Sequence, residues 1–543
     1  MRPRPTTLLI AGTLLFLLFS LPSMPAGLSI QAFLTIPLEW IAVVALIVAV
    51  SGKSISKPIR FAISLLITTI VVLKIADLVS HNALSRSFNP VADMALVDAF
   101  VRLTAGTFGT IAAAAAVVGA VISVAVVFWV AWWSLSSFAK TGVSRPLRVG
   151  ALTTVIIATG LSGAKLVGHG FAIPAFASIS NSRYALDHIV KARATIAELV
   201  AFQVAAVQDR FSGRSGLLTA IDRDVFVIFI ESYGRASFDT PLYSDLHPST
   251  LASYEEKLRS MGVASRSGFL TAPTRGGQSW LSHATFSNGL WVNNQVSYRA
   301  VLASGRKTLF HHAADSGYHT AAVMPQITLE WPESARMGFE TIFEFEDLDY
   351  QGPAFNWVTM PDQFTLSAMD RLLVNNPEMR GDGRPLFVQA ALVSSHAPWV
   401  PVPEIIPWDE VGDGAIFTRF TEGAPTPREV WSDRDRVRAQ YRLAVDYALQ
   451  SVMEYALLHA DDPPLLIVVG DHQAADFVSR DESADVPIHV LGPAHLVEPL
   501  AGVAPTAGLV PGKDLEAQSM EVVRDAILSS FTAPTAAELT RVR

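Results

Sequence analysis

Five long apolar segments in the first third of the chain constrain its fold more than any other feature. They cover residues 6–21, 33–50, 59–79, 108–135 and 149–167. Each is long enough, or nearly so, to cross a lipid bilayer as a helix. The whole chain of 543 residues is 50% hydrophobic and 17% charged, an apolar balance that soluble globular proteins do not show. The sequence therefore predicts a transmembrane region of five helices over residues 1–175.

Positive charges at the ends of these segments predict their orientation. Clusters of Arg and Lys lie on one side of the predicted membrane region: Arg2 and Arg4, then Lys53, Lys57 and Arg60, then Lys140, Arg145 and Arg148. The loops on the other side carry only Arg86 and Arg102. Because such charges stay in the cytoplasm, we expect a multi-pass protein of a bacterial-type cytoplasmic membrane, with its catalytic domain on the extracytoplasmic side. Residues 1–25 could instead be a cleaved signal peptide, which would leave four spans and the same final orientation.

The composition excludes several classes of function. The chain contains no cysteine, so we expect the extracytoplasmic domain to fold without disulfides and to use neither a Cys nucleophile nor a formylglycine made from cysteine. The formal net charge is −8 and the isoelectric point is about 5.9, whereas nucleic-acid binding calls for a basic surface. The sequence therefore indicates no nucleic-acid partner.

After residue 175 the pattern changes from membrane spans to an amphipathic helix and then to a globular domain. Residues 176–215 carry apolar side chains at helical spacing opposite charged ones, which predicts an amphipathic linker helix. Over residues 216–543, strand-like runs at 224–230, 319–323, 386–393 and 465–469 alternate with helical stretches at 250–261, 362–375 and 436–459. This alternation predicts an α/β catalytic domain with a mostly parallel sheet covered by helices on both faces.

Acidic and imidazole side chains follow two of these strands at the point where each strand ends. Asp471 and His472 come directly after one apolar run, and Glu231 follows another. Because the carboxyl ends of parallel strands meet at one edge of a sheet, the three side chains can converge on a single point. Two carboxylates and one imidazole suit one divalent metal, Mn or Zn. An isolated Asp-His pair could also be a strand-terminating turn with a solvated Asp. A second strand that also ends on an acidic residue, Glu231, favours a metal site.

A loop between these two strands ends in a candidate nucleophile. Pro273, Gly276 and Gly277 are typical of a tight turn, and the following stretch predicts a helix that begins near Ser279. A hydroxyl at the amino terminus of a helix is well placed to attack phosphorus, because the backbone N–H groups there favour an anionic substrate. Ser279 could alternatively only cap the helix. Thr274, in the same loop, is the reserve candidate for the nucleophile.

Four short motifs, in this order behind the apolar segments, resemble those of a known superfamily. They are FIESYG at residues 229–234, GGQS at 276–279, SHAPW at 395–399 and GDH at 470–472. Together they make the chain similar to the alkaline phosphatase and sulfatase superfamily, and within it to the membrane-anchored branch of lipoteichoic acid synthases and phosphoethanolamine transferases. The resemblance covers nearly the whole chain and implies a sulfatase-like α/β/α domain.

The resemblance also implies a role for each motif residue. Glu231, Asp471 and His472 would bind one divalent metal, and the hydroxyl of Ser279 would complete the ligand set. Ser279 would also form a covalent phosphoester intermediate that an acceptor then discharges. His396 would bind a phosphoryl oxygen or assist proton transfer.

The function implied by the resemblance is that of a metal-dependent transferase. It would move phosphoglycerol or phosphoethanolamine from a membrane phospholipid to a glycan or lipid acceptor of the cell envelope. The alternatives are a membrane-bound phosphodiesterase or sulfuric ester hydrolase of the same superfamily, and a non-catalytic member that binds the envelope. Residues 473–476, QAAD, replace the Gly-Glu-Ser that follows Asp-His in the phosphoethanolamine transferases, which favours the phosphoglycerol branch. Thr271 stands where a sulfatase has the cysteine that becomes formylglycine, which speaks against sulfate hydrolysis.

Overall fold

The computed structural model describes residues 3–27, 29, 33–84, 86–168 and 177–532. The chain forms two compact units, Met1–Val200 and Ala201–Arg543. The division between them falls within a long helix, Ser180–Val207, which occupies most of the predicted linker segment 176–215. The predicted end of the transmembrane region, residue 175, lies outside the described residues.

The first unit is built from helices. Their bounds are Pro5–Ser20 (α1), Leu38–Ala49 (α2), Ser56–Leu84 (α3), Met94–Phe108 (α4), Thr110–Ala139 (α5), Arg145–Leu166 (α6) and Ser180–Val207 (α7). Two short strands, Ile36–Pro37 (β1) and Ala177–Ser178 (β2), pair in parallel.

Three helices of the described part of the chain are long and apolar enough to cross a membrane. They are Ser56–Asn82, Thr110–Ala139 and Arg145–Leu166. The other two predicted spans form shorter apolar helices, Pro5–Ser20 and Leu38–Ala49. All five predicted segments therefore lie on helices, while the count of five spans stays a prediction.

Buried polar contacts hold helix α7 to the second half of α3. Lys74 Nζ donates a hydrogen bond to Asn181 Oδ1 at 2.8 Å, and Asp77 Oδ2 accepts one from the Tyr184 hydroxyl at 2.5 Å. The same Asp77 oxygen lies 3.1 Å from His188 Nε2. Lys74 and Asp77 are almost completely buried. Because buried charged groups must be paired, these contacts fix the first half of α7.

The second unit is built around one sheet of nine strands. They are Val225–Ile230 (β3), Ala264–Thr271 (β4), His319–Val323 (β5), Thr341–Phe343 (β6), Leu386–Leu392 (β7), Leu465–Gly470 (β8), Asp485–Gly492 (β9), Thr506–Ala507 (β10) and Gln518–Ser519 (β11). The order is β10-β4-β9-β8-β3-β7-β5-β6, with β11 paired to β4. Strands β8, β3, β7, β5 and β6 are parallel, whereas β9 pairs antiparallel with both β8 and β4.

The sheet is therefore mixed: its five strands β8, β3, β7, β5 and β6 are parallel, whereas the pairs β8–β9, β9–β4 and β4–β10 differ in being antiparallel. The difference arises at β4 and β9, which the apolar pattern does not reveal. Polar side chains occupy much of the first half of β4, and Pro487 interrupts the apolar run of β9, so neither strand has a continuous apolar pattern. The four predicted strands are present as β3, β5, β7 and β8, within one residue of their predicted ends.

Helices cover both faces of this sheet. They are Ala236–Asp239 (α8), His247–Ser260 (α9), Ser279–Asn288 (α10), Gln295–Ala303 (α11), Leu309–Asp315 (α12), Asp362–Met369 (α13), Pro377–Arg380 (α14), Pro427–Trp431 (α15), Arg434–Leu458 (α16), Asp476–Ser479 (α17), Ala494–Val497 (α18) and Val522–Ser530 (α19). The second unit also has short 3-10 helices at Pro332–Arg336, Glu346–Leu348, Trp408–Glu410, Ala415–Phe420 and Glu498–Leu500, and a π-helical turn at Asp370–Val374. One further 3-10 helix, Pro25–Gly27, lies in the first unit.

Side chains of the central strands alternate between two cores, one on each face. In β3, residues 226, 228 and 230 pack into one core with α9, α13 and α16. Residues 225, 227 and 229 pack into the other core with α12 and α19. Because both faces of the strand are buried, its apolar run is continuous, and the polar residues begin only where the strand ends.

Candidate metal and nucleophile site

Three neighbouring strands bring the candidate residues to one edge of the sheet. Strand β3 lies between β8 and β7, and Ile230 pairs with Gly470 on one side and Leu392 on the other. This register places Glu231, which follows β3, beside the residues that follow β8. The segment after β7 leads to His396 at the same edge, as expected for parallel strands.

Glu231, Asp471 and His472 form a compact buried group. A carboxylate oxygen of each acid and a ring nitrogen of the histidine all lie within 4.8 Å of one another. Asp471 Oδ1 accepts hydrogen bonds from the backbone N–H groups of Ser232 at 2.8 Å and His472 at 2.6 Å. Glu231 Oε1 accepts one from the Ser232 hydroxyl at 3.1 Å. Backbone N–H groups therefore orient the Asp471 carboxylate, and the side chain of Ser232 orients that of Glu231.

The orientation of His472 fits a cation. Its Nδ1 lies 3.1 Å from the carbonyl oxygen of Gln473, and since a carbonyl can only accept, Nδ1 carries a hydrogen and Nε2 points to the group. Nε2 is buried, lies 3.0 Å from Glu231 Oε1, and has no well-aligned hydrogen-bond partner among the described residues. A divalent metal ion between this nitrogen and the carboxylate would satisfy both.

Electrostatics favour a positive charge at the same point. Burial alone would lower the pKa of His472, but the carboxylates of Asp471 and Glu231 outweigh it and raise that pKa to about 9. Burial, reinforced by the charge of Glu231, holds the pKa of Asp471 well above its ordinary value. A divalent cation would neutralise the two carboxylates together. The charges and the geometry of the group therefore both fit a divalent cation.

Ser279 is the first residue of α10, and its hydroxyl faces this group. Gln278 before it has a left-handed backbone conformation, with φ of 69°, which turns the chain into the helix. Ser279 Oγ donates a hydrogen bond to Glu231 Oε2 at 2.9 Å. The Gly276 N–H donates to the carbonyl oxygen of Gln473 at 2.8 Å, so the loop that carries Ser279 is tied to the segment after β8.

Two threonines near this loop make other contacts. The Thr274 hydroxyl donates to the carbonyl oxygen of Gly277 at 2.7 Å. The Thr271 hydroxyl, on β4, donates to Asp485 Oδ1 at 2.8 Å. Neither contact reaches the acidic group, so the geometry favours Ser279 over both as the nucleophile.

Two glycines allow the chain segments to approach this closely. A Cβ atom on Gly470 would lie 1.8 Å from the carbonyl oxygen of Tyr233, and one on Gly234 would lie 1.6 Å from Gln473 Oε1. The neighbour of Gly470 is backbone, which cannot swing aside as the end of a side chain can. The Asp-His pair can follow β8 directly only because residue 470 has no side chain.

His396 is held at the same edge by backbone contacts. Its Nδ1 lies 2.6 Å from the carbonyl oxygen of Ala397, which must accept, so Nε2 remains available to a substrate. Ser395 before it donates from Oγ to the backbone carbonyl of Glu231 at 2.5 Å. This contact links the segment that carries His396 to the end of β3.

Asp362, at the start of α13, fixes the same segment and is missed by sequence reasoning. It is completely buried, and its Oδ1 accepts hydrogen bonds from the N–H groups of Val393 at 2.7 Å and Ser394 at 2.8 Å. Burial raises the pKa of Asp362 to about 6. In the sequence this residue only follows Pro361 at a helix start, and nothing there indicates its tertiary partners.

We expect Asp362→Ala to lower the melting temperature by several degrees and Asp362→Asn to change it little. Alanine leaves two buried N–H groups without an acceptor, at a cost of about 1–3 kcal/mol each, whereas the asparagine carbonyl oxygen can still accept from both. Thermal unfolding of the purified full-length protein measures the difference. An unchanged melting temperature in the alanine variant would show that the segment does not depend on this carboxylate.

A cavity of about 290 Å³ opens beside Ser279. Glu231, Asp471 and His396 contribute to its lining. Much of the remaining lining is apolar and includes Met324, Ile327, Trp331, Met337 and Phe339. A cavity of this size accommodates a phosphate with a small substituent but not a pair of acyl chains.

Comparison with known proteins gives a family match and several similar structures. Residues 223–477 match the family model described as sulfatase. No curated protein matches the chain. Similar solved structures include the lipoteichoic acid synthase LtaP from Listeria monocytogenes, with 13% identity, a TM-score of 0.37, and coverage of 62% of this chain and 78% of that chain.

Two further structures are similar at the same level. The C-terminal periplasmic domain of EcEptC from Escherichia coli has 12% identity and a TM-score of 0.37, covering 58% of this chain and 84% of that chain. The phosphoglycerol transferase GacH from Streptococcus pyogenes, in complex with sn-glycerol-1-phosphate, has 13% identity and a TM-score of 0.35, covering 64% of this chain and 95% of that chain.

Proposed function

We propose that this protein, whose residues 223–477 match the family model described as sulfatase, is a membrane-bound, metal-dependent transferase of a phospho-headgroup. The family match confirms the superfamily predicted from the four motifs, and a fold of this superfamily indicates an enzyme of phosphoryl transfer or hydrolysis. In the proposed function, the donor is a membrane phospholipid and the acceptor is a glycan or lipid of the cell envelope.

The proposal rests mainly on the position of the Ser279 hydroxyl. It donates to Glu231 Oε2 at 2.9 Å, in the group that contains Asp471 and His472. A serine that only capped its helix would occupy the N-cap position and direct its oxygen to backbone N–H groups. Ser279 instead follows the N-cap residue Gln278, and its hydroxyl bonds to Glu231. The arrangement therefore supports a nucleophile over a helix cap.

Glu231, Asp471 and His472 would hold the divalent ion, with Ser279 as a further ligand. When bound, such an ion would lower the pKa of the serine hydroxyl and neutralise charge on the phosphoryl oxygens. The first backbone N–H groups of α10 would add to this, because the amino terminus of a helix favours an anion.

The proposed reaction balances in bonds and protons. Ser279 Oγ bonds to the donor phosphorus, its proton is released to solvent, and the bond from phosphorus to the lipid alcohol oxygen breaks. His396 gives a proton from Nε2 to that leaving oxygen. An acceptor hydroxyl then displaces Ser279 from phosphorus and gives its proton to His396, while Ser279 regains a proton from solvent.

Membrane attachment supports a lipid donor. Three helices of the described chain are apolar and long enough to span a bilayer, so enzyme and donor would share one surface. The cavity of about 290 Å³ has room for a headgroup, and the acyl chains of the donor would remain in the bilayer.

Reconstitution of the full-length protein in vesicles tests the proposed function. The vesicles would contain phospholipid with a radiolabelled headgroup phosphate, together with Mn²⁺ and an envelope glycan extract. We expect label to move to the glycan or to a lipid acceptor, and diacylglycerol to form, as seen by thin-layer chromatography. Label released only as a free phosphomonoester would identify a hydrolase, and no turnover of any phospholipid would contradict the proposal.

Cysteine labelling tests the proposed orientation cleanly, because the native chain has no cysteine. Ser54 and Ser260 are both exposed, and the charge pattern predicts residue 54 in the cytoplasm and residue 260 outside. We expect a membrane-impermeant maleimide to label Ser260→Cys in intact spheroplasts and Ser54→Cys only after lysis. The reverse pattern would overturn the orientation and the extracytoplasmic location of the site.

A further inference from the structure

We propose that Tyr441 is a positioning residue for the candidate metal group, and that it acts by holding Ser232 in a strained backbone conformation. The inference rests on the metal site of the proposed function, because it concerns how the chain keeps the candidate ligand Glu231 in place. It follows from the backbone angle of Ser232, from the three hydrogen bonds that this residue makes, and from the burial of the tyrosine.

Ser232 has a backbone conformation that serine rarely adopts. Strand β3 ends at Ile230, and two residues later the φ of Ser232 is 56°. This value lies in the left-handed region, which glycine tolerates and other residues adopt only at a cost in free energy. Ser232 is also 5% exposed. A strained residue in a buried position persists only where its neighbours hold it, and such residues concentrate at functional sites.

Two of the hydrogen bonds of Ser232 go directly to the candidate metal group. Its backbone N–H donates to Asp471 Oδ1 at 2.8 Å, and its hydroxyl donates to Glu231 Oε1 at 3.1 Å. Ser232 therefore contacts both of the carboxylates that would bind the ion. A change in its backbone angles would turn the N–H and the hydroxyl away from both carboxylates at once.

The third hydrogen bond comes from Tyr441, on α16. The Tyr441 hydroxyl donates to the carbonyl oxygen of Ser232 at 2.9 Å. With the Ser232 N–H bonded to Asp471, both peptide groups that flank this residue are held, which fixes its φ and ψ. Tyr441 is completely buried and is not among the described residues that line the cavity. It would therefore act on the metal group through Ser232 and not by touching a substrate.

The ring of Tyr441 also packs against the segment that carries His396. It meets the Trp399 ring edge to face, with centroids 5.5 Å apart and 79° between the ring planes. Trp399 Nε1 in turn donates to the carbonyl oxygen of Ser395 at 2.6 Å. One side chain thus contacts the segments that follow β3 and β7. Tyr441→Phe removes only the hydroxyl and keeps the ring, so it tests the hydrogen bond separately from this packing.

The metal affinity of Tyr441→Phe tests the proposal. Titration calorimetry of the metal-free full-length protein with Mn²⁺ measures it. We expect the dissociation constant to rise at least about tenfold, as when a group that orients a metal ligand is removed.

Tyr318→Phe is the matched control. The Tyr318 hydroxyl is buried and donates to the carbonyl oxygen of Ile221 at 3.1 Å, and Ile221 precedes the other end of β3. The control variant therefore loses the same kind of hydrogen bond far from the site. Its dissociation constant for Mn²⁺ should stay within about twofold of the native value, because distant sites are energetically independent.

Ser232→Gly provides a second test, in which stability and metal affinity should diverge. Glycine adopts the left-handed conformation without strain, so the melting temperature of the metal-free protein should stay within about 3 °C of the native value. The variant loses the hydroxyl that orients Glu231, and its backbone is less restricted. The dissociation constant for Mn²⁺ should therefore rise at least about tenfold. A purely structural role of Ser232 would not weaken metal binding at unchanged stability.

The outcomes separate this inference from the proposed function. Native affinity in Tyr441→Phe, or in Ser232→Gly if the phenylalanine variant does not fold, would overturn the positioning role and leave the metal site standing. An equal loss of affinity in Tyr441→Phe and Tyr318→Phe would do the same. A native protein that binds neither Mn²⁺ nor Zn²⁺ would overturn the metal site and the positioning role together. Because the titrations measure no turnover, an absence of phospholipid transfer would count only against the proposed function.

Discussion

Ser279→Ala should reduce phospholipid turnover by roughly four powers of ten or more, because it removes the atom that forms the covalent intermediate. The fold and the metal content should change little. The serine lies at the start of α10, where alanine is well tolerated in a helix, and its hydroxyl is only one of four candidate ligands. Initial rates with headgroup-labelled vesicles measure the loss, and metal analysis of the same preparation shows whether the site is intact.

Two matched variants locate the nucleophile. Thr274→Ala removes a hydroxyl from the same loop, one that bonds to the Gly277 carbonyl oxygen, and should keep most of the activity. Ser279→Thr keeps the hydroxyl and should keep part of the activity.

Mass spectrometry after incubation with donor lipid should find the headgroup phosphate on the peptide that contains Ser279. An active Ser279→Ala protein, or an adduct mapped to Thr274, would show that the nucleophile is placed wrongly.

Asp471→Ala should abolish the binding of one divalent ion per chain. The Asp471 carboxylate is one of three acidic or imidazole candidate ligands that converge within 4.8 Å, and its removal would leave Glu231 and His472 too few to hold a metal ion. Elemental analysis of the purified full-length protein, after loading with Mn²⁺ or Zn²⁺ and desalting, should fall from about one ion to near zero.

Asp461 offers a matched control for this loss. It is exposed and precedes β8, at the end of the strand opposite Asp471, so Asp461→Ala should bind metal as the native protein does. Metal retained at the native ratio by the Glu231→Ala, Asp471→Ala double variant would refute the assignment of this group as the metal site.

The sequence predicts the central strands well because they are buried on both faces. A strand covered by helices on each side reads as a nearly continuous apolar run. Strands β3 and β8 carry no polar side chain, and β5 and β7 are interrupted only by His319, Thr320 and Gln389. The strands β4 and β9 lie towards one side of the sheet and pair antiparallel, with polar residues or a proline in their sequences. Their pairing is set by tertiary contacts, so the mixed character of the sheet could not be predicted from local pattern.

The candidate site likewise has residues that the sequence predicts and residues that it does not. Glu231, Asp471 and His472 directly follow predicted strands, and the structure brings them together as that position implies. The supporting residues come from elsewhere in the chain. Asp362 holds the segment before His396 from a different helix, and Tyr441 bonds to the carbonyl oxygen of Ser232 from α16. No short spacing links either residue to its partners, so only the folded chain reveals them.

The pairing of Ile230 with Gly470 would make an ion bound at the candidate metal site a reporter of correct folding. Side chains alternate between the two faces of a strand, so a slip of β8 by one residue would turn Asp471 to the opposite face, away from Glu231. The native register brings the candidate ligands together, so the binding free energy of an ion would stabilise that register over a shifted one. Chains that have misassembled their central strands would lack the ion, and retention of metal would distinguish well-folded preparations from them.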